Sequence, residues 1–378
     1  MMHRNNNNIM LNNKNISTHK PIYDSHSKLT LIIDGNWLLI SRLAVLKNIY
    51  PDIDSLIHNL KLLLIKSINS MLRSLPEVDN IIFVSDGGSW RADVPIPDFL
   101  KKQGVSYKGT REKSDDFDWD KFFAEFESFI TDIKTYSNIT VSRSYKVEGD
   151  DWCWWWSKIL NNDNTNVIIW SADKDLTQLV KTNKETGVFT CTLYTRGKNT
   201  IVSVDERVND DISFSMMLTN PFFVENSNLL SEITGKATKI NKINPSFVPL
   251  DKMFRGDGSD NILPPIKRIT NTGKEFRLSV KQLDSSMNIW DDNVIHNFVD
   301  EVYNDKKFKN KTIVNEDVAL EHLLYNRTLV TLNEQSYPDD ILNIMSEQNY
   351  YEKNKDLSVT EQHIKGETDE LTSILDNI

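Results

Sequence analysis

LTLIIDGN, residues 29–36, and IIFVSDGG, residues 81–88, decide the fold: each is a short run of aliphatic and β-branched residues that ends in Asp-Gly. Such runs read as strands buried on both faces of a parallel sheet, with functional groups at their C-terminal ends. Between them, DSLIHNLKLLLIKSINSMLRSL (54–75) repeats apolar residues at helical spacing, which completes a β-α-β unit. Outward from this unit, a third strand is predicted at NITVSRSY (138–145) and a fourth at NVIIWSAD (166–173). The helix DDWCWWWSKIL (150–160) falls between those two. FTCTLYT (189–195) and NTIVSV (199–204) predict a β-hairpin around RGKN. The first half of the chain is therefore α/β.

The rest divides by composition. Residues 1–27 are Asn-rich, polar and aperiodic and read as a disordered extension. The α/β core runs over 28–205. An insertion over 206–249 mixes NPFFVENSNLL with a Lys/Asn-rich segment, and 250–354 is mainly helical, with NVIHNFVDEVY and EDVALEHLLYNRTLVTL as its clearest helices. Residues 355–378 form a polar, acidic tail. No internal repeat is evident. The two cysteines, Cys153 and Cys191, make neither a disulfide framework nor a metal-binding pair, which fits a reducing compartment. No stretch is able to span a bilayer, so a soluble, cytoplasmic protein without a membrane partner is expected.

Acidic residues close every apolar run. Asp34 and Asp86 end the first two strands. Glu148, Asp150 and Asp151 open the Trp-rich helix, Asp173 and Asp175 follow the fourth strand, and Asp257 and Asp260 lie in RGDGSDN. Buried carboxylates are costly unless something neutralises them, so their convergence at strand ends implies bound cations. Oxygen-only donors favour hard ions, hence Mg²⁺ or Mn²⁺ rather than zinc. Phosphodiester cleavage by two such ions needs carboxylates that hold them roughly 4 Å apart. The spacings suit it: Glu148 and Asp151 are one helical turn apart, Asp257 and Asp260 likewise, and Asp173 and Asp175 share one short segment.

The formal net charge of −10 argues against a nucleic-acid partner only superficially. With those nine carboxylates set aside, Asp plus Glu falls from 54 to 45 against 44 basic residues, a nearly neutral remainder. Local clustering then decides. Arg91, Lys101, Lys102, Lys108, Arg111 and Lys113 are interleaved with Trp90, Phe99, Tyr107, Phe117 and Trp119. Cations pair with phosphates and rings stack with bases, as a single-stranded end threaded past the metals requires. The plain alternative is a solvated loop, which suits Lys101 and Lys102 best.

These motifs, in this order, resemble the 5′ nuclease superfamily of flap endonucleases and polymerase-associated 5′→3′ exonucleases with a PIN-like core. IDGN, SDG, VEGDD, SADKDLTQL and GDGSDNI match its acidic motifs, and SYKGTR its Tyr-Lys-Gly-x-Arg element, over about Lys28 to Arg268. The likeness is greatest to the phage members with ribonuclease H activity, which implies a host cytoplasm. The resemblance implies an α/β, PIN-like parallel-sheet core with a helical C-terminal helix–three-turn–helix domain. It implies two Mg²⁺ ions, with Mn²⁺ able to substitute. Asp86, Glu148, Asp150, Asp173 and Asp175 would hold the first. Asp34, Asp257 and Asp260 would serve mainly the second, and Asp151 matches a further Asp of the family. An arch over 87–147 would present Arg91, Lys108 and Arg111 to the scissile region as catalytic cations, with Tyr107 and Lys113 binding nucleic acid. GDGSDNI would begin the helix–three-turn–helix, with K⁺ in its turn and Lys267 and Arg268 on duplex phosphates. The following LPPIKRITNTGKEFRLSVK lacks the usual glycine-containing second turn, a departure that bears on the K⁺ site.

The expected activity is 5′→3′ exonuclease and 5′ flap endonuclease action on DNA and RNA–DNA duplexes, with removal of RNA primers during lagging-strand replication. The tail and the insertion are assigned to replication partners, a single-stranded DNA-binding protein or a sliding clamp. Two rival readings fit the residues less well. A PIN-type single-strand endoribonuclease lacks the GDGSDN element and the helical C-terminal region. A non-catalytic DNA-binding protein has no reason to keep mutually repelling carboxylates together. The tryptophans of DWCWWWSK read as core rather than as a platform for bases.

Overall fold

The computed structural model of the 378-residue chain describes residues 28–74, 78–111, 117–183, 188–194, 200–204, 239–269, 275–278, 283, 287–304 and 315–347. The N-terminal extension, Lys113, most of the insertion and the acidic tail lie outside these.

The order of the core is β1 (Leu29–Asp34), α1 (Gly35–Leu46), α2 (Ile53–Ser74), β2 (Asn80–Val84), a 3-10 turn at Trp90–Asp93 and α3 (Asp98–Lys101). Then come α4 (Trp119–Tyr136), β3 (Thr140–Ser142), α5 (Gly149–Asn162), β4 (Asn166–Trp170) and a 3-10 turn at Asp175–Leu179. β5 (Lys181–Thr182), β6 (Phe189–Tyr194), β7 (Thr200–Val204) and β8 (Lys239–Ile243) follow. The C-terminal part is α6 (Phe247–Arg255), β9 (Lys267–Ile269), β10 (Glu275–Arg277), α7 (Asp292–Asn304), α8 (Glu316–Val330) and α9 (Asp339–Ser346).

The sheet runs β3-β2-β1-β4-β6-β7-β8, with β5 paired to β6. The strands from β3 to β6 are parallel, β7 is antiparallel to β6, and β8 is parallel to β7. The fold is α/β, as the strand pattern predicts, and β6–β7 is the expected hairpin. β8 lies within the 206–249 stretch and extends the same sheet.

The apolar runs divide between two faces with the period of a strand. Leu31, Ile33, Phe83, Ile168 and Trp170 pack with α1, α2 and α4, whereas Ile32, Ile82, Val84, Val167 and Ile169 pack with α5 and α9. Every residue of β1, β2 and β4 is buried. Because β1 leads leftward to β2 while β3 crosses over to β4, the chain reverses direction between β1 and β4. A crevice therefore opens above their C-terminal ends.

A third core gathers α3, α6, α7 and α8. Asn326 of α8, fully buried, ties this layer together by donating to the carbonyls of Met253 (3.0 Å) and Leu263 (2.9 Å). The DGSDN turn between them is closed by paired backbone bonds between Asp257 and Ile262, both 2.8 Å. It starts at Gly256, whose φ of 72° is one that side-chained residues rarely adopt. After this turn KRI and EFR pair as the antiparallel β9–β10, and the next helix among the described residues is α7.

Candidate active site

The crevice collects the carboxylates. Asp34 ends β1 and caps α1, accepting from the Trp37 amide (3.0 Å) and the Ser171 hydroxyl (2.7 Å). Asp86, just past β2, accepts from the Gly149 amide at 2.6 Å, which binds the second strand end to the start of α5. Asn36 steadies the same loop, accepting from the Asp86 amide and the Ser85 hydroxyl. Asp173 is exposed and accepts from the Asp175 amide at 2.8 Å, in the turn that follows β4. Among the described residues, Asp34, Asp86, Asp150 and Asp173 form no ion pair.

Burial without a cationic partner shows in the protonation of three of them. Burial pushes Asp34 up to about 7, opposed by its two hydrogen bonds and reinforced by Asp86 and Asp173. Burial likewise raises Asp86, and it raises Asp150 strongly, with Asp173, Asp34 and Asp175 adding repulsion. These side chains share one field.

The remaining acidic residues carry cationic partners. Glu148 pairs with Arg91 (2.6 Å) and Lys108, and Arg111 pairs with Asp260 (2.7 Å). Lys252 of α6 pairs with both Asp175 and Asp257. Burial works against ionisation of Glu148, but Arg91 and Lys108 outweigh it and hold the carboxyl below its usual range. For Asp175 burial prevails over Lys252, and the carboxyl rises to about 6. Asp175, Asp257 and Asp260 each bring an oxygen within 4.8 Å of the others.

Asp151 differs from its neighbours. It is fully buried, and it accepts from Arg91 (2.8 Å), the Trp90 indole (3.1 Å) and the Glu148 amide (3.0 Å), the last closing a capping box at the start of α5. Both of its oxygens are thus taken by structural partners. Arg91 is 3% exposed, stacks on Trp90, and donates from Nε to the Leu329 carbonyl at 3.0 Å. From that position it orients Glu148 and Asp151, whereas the sequence expectation assigned it to the scissile region.

Lys108 and Arg111 stand at the rim. Lys108 occupies the left-handed region at φ 55°, a strain of about 1–2 kcal/mol for a residue with a Cβ. Its amide donates to the Asp260 carbonyl at 2.8 Å, and Asn261, itself at φ 57°, donates to the Ser106 carbonyl at 2.8 Å. The 106–111 turn is thereby fastened to the DGSDN turn. The half-buried Tyr107 directs its hydroxyl to Glu148 at 3.4 Å. Lys267 and Arg268 lie on β9, and Lys113 is outside the described residues.

The donor set fits hard divalent cations: oxygen ligands only, four without an ion-pair partner, and a further group of three whose oxygens lie within 4.8 Å of one another. Sequence reasoning missed Lys252, Ser171 and Asn36. Asn36 and Ser171 stand inside the quoted motifs, so they were within sight. Lys252 lies five residues before Asp257 on a helix of ordinary composition, and only the tertiary placement of α6 beside the Asp175 turn exposes its role.

No family model matches the chain, and no curated protein matches it. Among solved structures, the chain is similar to bacteriophage T5 5′-exonuclease with bound zinc: TM-score 0.48, 14% identity, 85% of this chain and 98% of that one. It is similar to a mutant of the same exonuclease, with TM-score 0.44 and 16% identity over 85% and 97%. A bacteriophage T5 flap endonuclease complexed with DNA and metal ions gives TM-score 0.44 and 16% identity over 84% and 100%.

Proposed function

We propose that this chain is a metal-dependent 5′ nuclease, hydrolysing phosphodiesters of DNA and RNA–DNA duplexes from a 5′ end and cutting 5′ flaps. One observation carries the reading: acidic residues from five separate motifs meet above the β1–β4 crevice, and Lys108 and Arg111 pair with two of them at its rim. Asp34, Asp86, Asp150 and Asp173 would hold one divalent ion, and Asp175, Asp257 and Asp260 would hold the other. Mg²⁺ suits these donors, and Mn²⁺ should substitute. When bound, the ions would activate water and stabilise charge on the phosphate.

The side chains have separable tasks. Lys108 and Arg111 lie where a phosphate approaching the carboxylates would meet positive charge, and they offset its charge as it develops. Tyr107 offers a ring beside them for a base. Arg91 positions Glu148, and Asp151 serves the start of α5 rather than an ion. Lys252 neutralises Asp175 and Asp257 until a divalent ion replaces it. On this reading the substrate includes RNA primers of lagging-strand synthesis, giving the chain ribonuclease H activity. A structure-specific protein without catalysis is the rival reading.

The test is cleavage of a 5′-labelled RNA–DNA primer on a DNA template, and of a matching 5′ flap, with Mg²⁺ or EDTA, by wild type and Asp173→Asn. Short 5′ products that require both metal and Asp173 are expected. Duplex binding without cleavage would favour the rival.

A further inference from the structure

The C-terminal end of α8 touches every segment that carries the second half of the acidic constellation, although none of its own residues belongs to it. Asn326 spans the DGSDN turn, holding the carbonyls of Met253 and Leu263 on either side of Asp257 and Asp260. Leu329 accepts from Arg91, whose guanidinium holds Glu148 and Asp151. Gln178, in the 3-10 turn that begins at Asp175, donates to the Val330 carbonyl (3.2 Å) and accepts from the Leu332 amide (2.8 Å). Five hydrogen bonds from four residues of 326–332 thus reach three segments that are far apart in sequence.

Helix physics explains why this end is suited to the task. The last carbonyls of a helix have no partner within it, and the C-terminus carries partial negative charge. Leu329 and Val330 supply two such carbonyls. They are met by the Arg91 guanidinium, which holds Glu148 and Asp151, and by the Gln178 side-chain amide, in the turn that carries Asp175. Arg327, on the same turn, faces elsewhere and donates to the Ile289 carbonyl (2.9 Å) and Asp292 (2.6 Å).

We propose that residues 326–332 act as a clamp that holds Asp175 against Asp257 and Asp260, with Gln178 and Asn326 as positioning residues for divalent-ion binding. The inference rests on the reading of those carboxylates as metal ligands. Gln178 fixes the turn that presents Asp175, and Asn326 fixes the turn that presents Asp257 and Asp260. Loss of either lets Asp175 drift from Asp257 and Asp260.

The experiment is Mn²⁺ binding to the full chain, followed by the electron paramagnetic resonance of free Mn²⁺, with thermal melts alongside. Gln178→Met keeps the side-chain volume and removes both hydrogen bonds, and it is expected to weaken Mn²⁺ binding about 10-fold, as loss of outer partners of metal ligands does. Asn326→Ala should act in the same direction. Arg327→Ala removes bonds from the same turn without touching a ligand-bearing segment and should lower the melting temperature alone. Wild-type affinity in Gln178→Met, or an equal loss in Arg327→Ala, would overturn the clamp. Absence of Mn²⁺ binding by wild type would instead overturn the ligand assignment beneath it.

Discussion

At the scale of single residues, the site is defined by which carboxylates are paired and which are not. Asp34 rises to about 7 and Asp175 to about 6, chiefly by burial, from an ordinary 3.8. The metal-free folded chain therefore holds more protons than the unfolded chain between about pH 4 and 7, and its stability should fall as pH rises through that window. Glu148 and Asp257 are shifted the other way, by Arg91 with Lys108 and by Lys252 with Ser259 respectively, against the opposing effect of burial. Their contribution is lost only as pH drops below the ordinary carboxylate range. Thermal melts in EDTA should thus decline from about pH 4 to pH 7, and saturating Mg²⁺ should flatten the decline; a level profile in EDTA would remove the account. Arg91 makes a second prediction. It is a buried cation between two carboxylates, so Arg91→Met should cost about 3–5 kcal/mol in urea unfolding by stranding Glu148 and Asp151. Arg91→Lys should not recover it, because a point ammonium cannot reach both carboxylates and the Leu329 carbonyl.

At the scale of elements, legibility followed local pattern. β1, β2 and β4 announce themselves as uninterrupted apolar runs, and α2 by its helical period, because both signals are written within a dozen or so residues. The Trp-rich α5 reads as core, and Trp152, Trp154 and Trp156 are buried there, with Trp156 donating to Ser142 at 2.8 Å. Trp152→Ala should cost about 3–5 kcal/mol by leaving a cavity between sheet and helix, measured by chemical denaturation. The partners of Arg91, Glu148 and Leu329, are 57 and 238 residues away, and no local pattern reports such a meeting. Gly256 joins α6 to the DGSDN turn at φ 72°, where an added Cβ would also crowd the Ile262 carbonyl. Gly256→Ala should therefore lower stability by about 1–2 kcal/mol and weaken Mn²⁺ binding with it, which the same resonance measurement reads.

At the scale of the whole molecule, the C-terminal segment belongs to the core. Tyr337 stacks on Trp154 at 4.6 Å between ring centres, and Ile341 and Met345 are fully buried against the sheet's second face. Ending the chain after residue 347 should leave melting temperature and basal cleavage unchanged, whereas ending it after 331 should abolish cooperative unfolding in calorimetry. Neither boundary is visible in composition, since YPDDILNIM looks no different from a surface helix until its partners are known.

The bond from Arg91 to Leu329 also has a meaning in time. A ribosome delivers the carboxylates from Asp34 to Asp260 before it reaches Leu329 and Val330, whose carbonyls anchor Arg91 and Gln178. Nascent chains fold as their segments become available. During synthesis the acidic cluster therefore waits for a segment made well after its last carboxylate.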